Sequence, residues 1–169
     1  RGLGDVYKRQ SLTGSTVTGL LNADAMQVGG YLYLRGGGKF ADIDLLGAKI
    51  VGNAEFDGST VTGLLNAGRM DLGGYLFLRS GGTFADIDLL STKIGGDVQL
   101  AGSTFTGEVD ATGSRIQGEL HVSSDRLGVP TWKDGARLLL RNASADAIQG
   151  QMTGWDIPGN EKGLSLIHI

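Results

Sequence analysis

The chain has 169 residues, with 30 glycines, 2 prolines, no cysteine and a formal net charge of -3. This composition excludes collagen, which needs glycine at every third position, and it excludes disulfide frameworks and thiolate metal sites. The charge gives no electrostatic basis for nucleic-acid binding, and no apolar run approaches the roughly 18 residues of a membrane-spanning helix.

Both ends of the chain differ in character from the sequence between them. Residues 1–10 (RGLGDVYKRQ) and residues 164–169 (LSLIHI) resemble translated sequencing-adapter tails. We therefore expect both tails to be foreign to the fold, and the chain between them to be a fragment cut at both ends.

Between these tails the sequence repeats itself every 44 residues. The phrase GSTVTGLLNA begins at Gly14, returns at Gly58, and returns in shortened form at Gly102. The phrase FADIDLL occurs in the same way at Phe40 and at Phe84. A fixed period of this size is typical of a solenoid, in which each repeat packs against its neighbours.

A finer rhythm divides this period. Apolar residues recur every five or six positions, and a second small or apolar residue precedes most of them by two positions. Because residues two apart in an extended segment share a face, each unit is predicted to be a short strand followed by a corner. Four such sides close one coil of about 22 residues, with Val17, Val61 and Phe105 in one inward row. The predicted fold over residues 11–123 is therefore all-β, a four-sided parallel β-helix solenoid.

Three triplets carry a resemblance to a known group of proteins. Residues 48–50 (AKI), 103–105 (STF) and 114–116 (SRI) place a small residue two positions before a large apolar one. In this respect the chain resembles the bacterial pentapeptide-repeat-like proteins, and residues 92–100 (TKIGGDVQL) are similar to a phrase of a divergent group among them. The resemblance covers residues 11–123 and is expected to extend through residues 138–147. It implies a right-handed β-helix in a bacterial protein, cytoplasmic or membrane-associated, and it implies no particular activity.

The rhythm stops at residue 124. Residues 124–137 contain Pro130, Trp132 and several charged side chains, and they are predicted to form an inserted loop. The apolar run that follows resumes the pattern. Residues 138–163 are therefore predicted to form the last coil and a carboxyl-terminal cap.

One outward stripe of the predicted solenoid is acidic. Residues 22 apart stack in neighbouring coils, so carboxylates of successive coils come into line. Such carboxylates could bind Ca²⁺ or act in pairs as acid and base, as in sugar-cleaving β-helices; the alternative is a solvated face that resists aggregation. The acidic stripe comprises Asp42, Asp44, Asp86, Asp88 and Asp110.

A second outward stripe is aromatic and basic. In the segment YLYLR, which begins at residue 31, the leucines are predicted to point inward and the alternate residues outward. Exposed aromatic side chains beside polar groups suit stacking against sugars or contact with a protein; the alternative is ordinary packing on a sheet surface. This candidate binding face comprises Tyr31, Tyr33, Arg35, Tyr75, Phe77 and Arg79.

The sequence contains no nucleophile, base and orienting group spaced for catalysis. His121, between inward Leu120 and Val122, is predicted to be an isolated surface side chain. We therefore expect a non-catalytic structural or interaction scaffold, without cofactor or metal, that presents its surface to a protein or glycan. Two alternatives stay open: a polysaccharide-active β-helix enzyme, and a bactofilin-like rod that associates end to end through unpaired strand edges.

Overall fold

The computed structural model describes residues 7–133 and 135–150. Within these ranges the chain is all-β and winds as a parallel β-solenoid of about 5 turns, with about 22 residues per turn. The described residues include no helix, and hence none that is long and apolar enough to cross a membrane. The strands in chain order are β1 Tyr7–Ser11, β2 Thr16–Asn22, β3 Gln27–Tyr33, β4 Lys39–Asp44, β5 Lys49–Ile50, β6 Ala54–Glu55, β7 Thr60–Val61, β8 Leu65–Asn66, β9 Asp71–Leu72, β10 Leu76–Phe77, β11 Thr83–Phe84, β12 Ile87–Asp88, β13 Lys93–Ile94, β14 Val98–Gln99, β15 Thr104–Phe105, β16 Glu108–Asp110, β17 Arg115–Ile116, β18 Glu119–His121, β19 Thr131–Trp132, β20 Arg137–Leu139 and β21 Ala147–Gln149.

Each coil contributes to four parallel ladders, which are the four sides of the solenoid. The first halves of β2 and β4 begin the first side, which continues through β7, β11, β15 and β19. Their second halves begin the second side, which continues through β8, β12, β16 and β20. Strand β3 likewise opens the third side, with β5, β9, β13 and β17, and the fourth side, with β6, β10, β14, β18 and β21. The predicted four-sided parallel β-helix is confirmed.

The predicted inward row of the first side is also confirmed. Ladder pairing places its members one above another, and Phe84 and Phe105 stack with ring centroids 5.7 Å apart. Burying a side chain of this size stabilises the fold by about 1.5–3 kcal/mol, so the row is a main source of its stability. The row consists of Val17, Phe40, Val61, Phe84, Phe105 and Trp132.

The small residues two positions before the inward apolar ones lie at the corners. Ala48, Ser59 and Thr92 are all fully buried there. The Ser59 hydroxyl donates to the Leu34 carbonyl at 2.6 Å, and the Thr92 hydroxyl donates to the Ala67 carbonyl at 2.8 Å. A small side chain thus fits the tight corner, and its hydroxyl bonds to a backbone group that would otherwise lose hydration.

The period is 44 residues rather than 22 because neighbouring coils carry one extra residue at different points of the coil. The coil of Phe84 uses six residues to step from Leu78 to its first side, whereas the coil of Val61 uses five to step from Phe56. The coil of Val61 has one more residue than the coil of Phe84 between its first and second sides, and this additional residue is Gly63. Two successive coils therefore form the true repeating unit, and Gly63 acts as a bulge.

A column of glycines forms the corner between the third and fourth sides. From Gly52 onward, each N–H of this column donates to the carbonyl of the glycine one coil before, at 2.7 to 3.3 Å. A Cβ atom on Gly74 would lie 2.7 Å from the carbonyl carbon of Gly52, so the backbones approach too closely for a side chain. The column consists of Gly30, Gly52, Gly74, Gly96 and Gly118.

The amino-terminal segment departs from the sequence analysis. Residues 7–10, assigned there to a foreign tail, lie in β1 and pair in parallel with β3. The edge of an open ladder presents unpaired N–H and C=O groups, and an extended segment of almost any sequence can pair with it.

The insertion after residue 123 is shorter than predicted. Thr131 and Trp132 form a strand on β15, and Arg137 begins β20, so the inserted segment comprises residues 124–130 rather than 124–137. Trp132 takes the inward position above Phe105, with ring centroids 4.5 Å apart. Strands β20 and β21 belong to the last coil, whereas the predicted cap at 151–163 and the tail at 164–169 lie outside the described residues.

Candidate functional site

The fourth side carries the candidate binding face as three parallel columns. Ladder pairing and the backbone hydrogen bonds between coils fix which residues are neighbours. The first column is Tyr31, Asn53, Tyr75, Asp97 and Glu119; the second is Tyr33, Glu55, Phe77, Gln99 and His121; the third is Arg35, Asp57, Arg79 and Ala101.

The six residues of the candidate binding face form two stacks, each of which runs along one strand. The Tyr31 and Tyr33 rings are parallel within 1° with centroids 5.8 Å apart, and the Arg35 guanidinium lies 4.3 Å from the Tyr33 centroid. Two coils further on, Tyr75 and Phe77 stack at 5.7 Å and Arg79 lies 3.9 Å from the Phe77 centroid. Each stack thus has an outer tyrosine, a central ring and a guanidinium.

The outer tyrosines are the accessible members of the stacks. Tyr31 is 44% exposed and Tyr75 is 42% exposed, whereas Tyr33 and Phe77 are half-buried. The Arg9 guanidinium also lies 4.6 Å from the Tyr33 centroid. Among the residues that the structure describes, neither outer tyrosine has a guanidinium or a second ring stacked on it. A ligand would therefore meet Tyr31 and Tyr75 first.

Two carboxylates of the coil between the stacks form ion pairs with the two arginines. Glu55 pairs with Arg35 at 2.5 Å, and Asp57 pairs with Arg79 at 3.3 Å. Arg79 also donates to the Gln99 side-chain oxygen. Burial raises the pKa of Asp57 above its ordinary value, and the facing Arg79 opposes that rise. Arginines and carboxylates alternate from coil to coil on this side. The ion pairs therefore fix the two stacks in place while the net charge around them stays small.

The acidic stripe serves the backbone of the solenoid. Each of its five carboxylates accepts a hydrogen bond from a backbone N–H, either two residues on or in the next coil, at 2.7 to 3.0 Å. Among the described residues no group of three or more His, Cys, Asp or Glu side chains is placed to hold a metal ion. The donor residues are Leu64 for Asp42, Leu46 for Asp44, Glu108 for Asp86, Leu90 for Asp88 and Thr112 for Asp110.

His121 has partners that the sequence analysis missed. Its Nε2 atom lies 3.2 Å from Glu119 Oε2 and 3.5 Å from Asp97 Oδ2. The prediction of an isolated surface histidine is therefore wrong. The residue spacing could have predicted these contacts. Glu119 is two residues before His121 and shares its strand face, and Asp97 stands one coil before Glu119.

The inserted segment lies beside this histidine and forms a groove with the fourth side. Ser124 and Gly128 exchange two backbone hydrogen bonds, at 2.8 and 3.2 Å, which fold the segment back on itself. The groove lies at the end of the Tyr75 stack. It is lined by Arg79, Ser80, Gln99, Ala101, His121, Ser124, Arg126 and Leu127.

Comparisons of the chain with known protein families, with curated proteins and with solved structures gave no match. Its architecture therefore rests on the ladders and registers described above. They establish a parallel β-solenoid of about 5 turns.

Proposed function

We propose that this protein is a non-catalytic scaffold whose fourth side binds a glycan chain. The observation that carries the proposal is the pair of exposed tyrosines, Tyr31 and Tyr75, each supported by a stacked ring and separated by two coils. At about 4.8 Å per coil, they stand roughly 10 Å apart along the solenoid. The solenoid holds this spacing rigidly, so little conformational entropy is lost on binding.

The polar groups between the tyrosines favour a glycan over a protein partner. Sugar rings pack their C–H faces on aromatic rings and present hydroxyls to polar side chains. Asn53 lies between the two tyrosines, and Gln99 lies beside the second stack. Protein interfaces instead concentrate their binding energy in a contiguous desolvated centre, which two separated rings do not provide.

The role of the acidic residues supports binding without turnover. An enzyme on this scaffold would need carboxylates free to exchange protons with a substrate. Asp42 and Asp86, two carboxylates of the acidic stripe, each accept a hydrogen bond at 2.8 Å from the backbone of the next coil. A carboxylate in that position stabilises a corner of the fold.

We also infer kinship with the bacterial pentapeptide-repeat-like β-helices, and with it a cytoplasmic or membrane-associated place. The buried small residues Ala48, Ser59 and Thr92, each two positions before a buried apolar one, support this inference.

A glycan array tests the proposed function. Wild-type protein is expected to bind at least one glycan, and the Y31A/Y75A variant is expected to bind it about 5- to 150-fold more weakly, since each ring contributes about 0.5–1.5 kcal/mol. The matched control is L20A/L64A, because Leu20 and Leu64 are also exposed and two coils apart, on the second side. Undiminished binding by Y31A/Y75A would exclude the tyrosine face, and binding to proteins alone would favour a protein partner.

A further inference from the structure

We infer that the groove beside residues 124–130 receives the carboxylate of a uronic acid, so that the glycan on the fourth side is an acidic one. This inference rests on the proposed function and narrows it to one class of ligand. It uses the groove, whereas the proposed function uses the tyrosines.

The chemistry of the lining distinguishes this groove from the rest of the face. Arg79, Arg126 and His121 line it, together with the neutral polar groups of Gln99 and Ser124, and none of its eight lining residues is a carboxylate. A second groove, which shares His121 and Ser124 with the first, contains Asp125 and neither arginine. Asp57 pairs with Arg79, and Asp97 and Glu119 stand beside His121. The charge that favours an anion in the first groove is therefore that of Arg126, which is in no ion pair among the described residues.

Arg79 is held ready for an anionic ligand. Its guanidinium lies over Phe77 and bonds to Asp57 and Gln99, which fix its position before any ligand arrives. Asp57 neutralises much of its charge, so the additional positive charge comes from Arg126, which is exposed in the inserted segment. Guanidinium groups bind carboxylates through two parallel N–H donors, a geometry that favours a planar carboxylate.

The position of the groove connects it to the tyrosines. Gln99 and His121 occupy the two ladder positions that follow Phe77 along the fourth side. Asp97 and Glu119 stand directly after Tyr75 in its own column, so a polysaccharide that lies over Tyr31 and Tyr75 would turn across Phe77 toward the third column to reach the groove. One of its sugars would then present its carboxylate to Arg79 and Arg126.

Calorimetry with paired polymers tests the inference. Polygalacturonate, alginate and hyaluronan are each compared with their carboxyl-reduced, uncharged forms. For at least one of them, wild-type protein is expected to bind the acidic form several-fold more tightly, with a preference that shrinks as salt is added. Arg126→Gln is expected to reduce the preference about threefold and to leave the affinity for the reduced form unchanged.

Two further variants separate this inference from the proposed function. Arg115→Gln removes an exposed arginine from the third side and is expected to leave every affinity unchanged. Y31A/Y75A is expected to weaken the acidic and reduced forms by the same factor. Equal affinity of wild-type protein for the two forms of all three polymers, binding to neither form, or a preference that survives in Arg126→Gln would overturn the inference. The glycan array decides the proposed function independently.

Discussion

The carboxylate of Asp42 accepts a hydrogen bond from the backbone N–H of Leu64, which lies 2.8 Å away on the next coil. The same contact joins Asp86 to Glu108 at 2.8 Å. Both N–H groups directly follow the bulge glycine of their coil, where the ladder runs one residue out of step. The side-chain oxygen takes the place of a backbone carbonyl, so each bulge depends on an aspartate one coil before it.

Removal of the Asp42 carboxylate should therefore destabilise the solenoid. Asp42→Ala is expected to lower the free energy of unfolding by about 1–2 kcal/mol, because the Leu64 N–H loses its acceptor. Asp42→Asn should retain most of the stability, since Asn53 makes the same contact with the Tyr75 N–H at 3.0 Å. Urea unfolding followed by circular dichroism measures the effect, with exposed Asp71→Ala as the control. Equal losses in Asp42→Ala and Asp71→Ala would contradict this account.

The glycine column between the third and fourth sides should not tolerate a side chain. Gly74→Ala would place its Cβ atom 2.7 Å from the backbone of Gly52, and we expect it to cost about 1–3 kcal/mol. Gly19→Ala is the matched control, because a Cβ atom there meets nothing within 4 Å. Thermal unfolding of the two variants should separate them clearly. A Gly74→Ala protein as stable as Gly19→Ala would show that the coils can move apart at this corner.

Two buried serines of the same kind of corner should respond differently to substitution. Ser59→Ala removes the hydrogen bond to the Leu34 carbonyl and is expected to cost about 1 kcal/mol. The Ser103 hydroxyl is buried without a hydrogen-bond partner among the described residues, so Ser103→Ala should be neutral or stabilising. Chemical denaturation of both variants in parallel checks this difference. A larger loss at Ser103 than at Ser59 would refute it.

The titration of Asp57 should report its burial. Burial raises the pKa of this carboxyl above its ordinary value, and Arg79 opposes the rise. An NMR titration should place the Asp57 pKa above the ordinary value of an aspartate, and Arg79→Ala should raise it further. Since the folded pKa exceeds the unfolded one, folding takes up a proton between the two values, and the contribution of Asp57 to stability increases as the pH falls through that window. A lower Asp57 pKa in Arg79→Ala would contradict the assignment.

The sequence pattern was sufficient to predict the sides of the solenoid because inward positions must be apolar or small. Val61 and Phe105 lie in their predicted row for that reason. The pattern failed at Trp132, because an aromatic residue after Pro130 reads as a loop residue until its ladder partner is known.

The same limit applies to the candidate face. Alternation within one strand was enough to place Tyr31 and Tyr33 together. Asp97, one of the two partners of His121, and the carboxylates that pair with the arginines belong to other coils, and finding them required the register between coils. Even in a repeat with a constant period, the register between coils is known only when the number of residues in each corner is known.

The offset residue at Gly63, balanced by the longer corner before Phe84, sets the increment by which such a chain can change its length. A gene segment that encodes two successive coils can be duplicated or lost without disturbing any junction. Duplication or loss of a segment that encodes one coil would instead make two coils with a bulge, or two coils with a long corner, direct neighbours in the stack. We therefore expect a related chain of different length to differ by a multiple of 44 residues in its regular part.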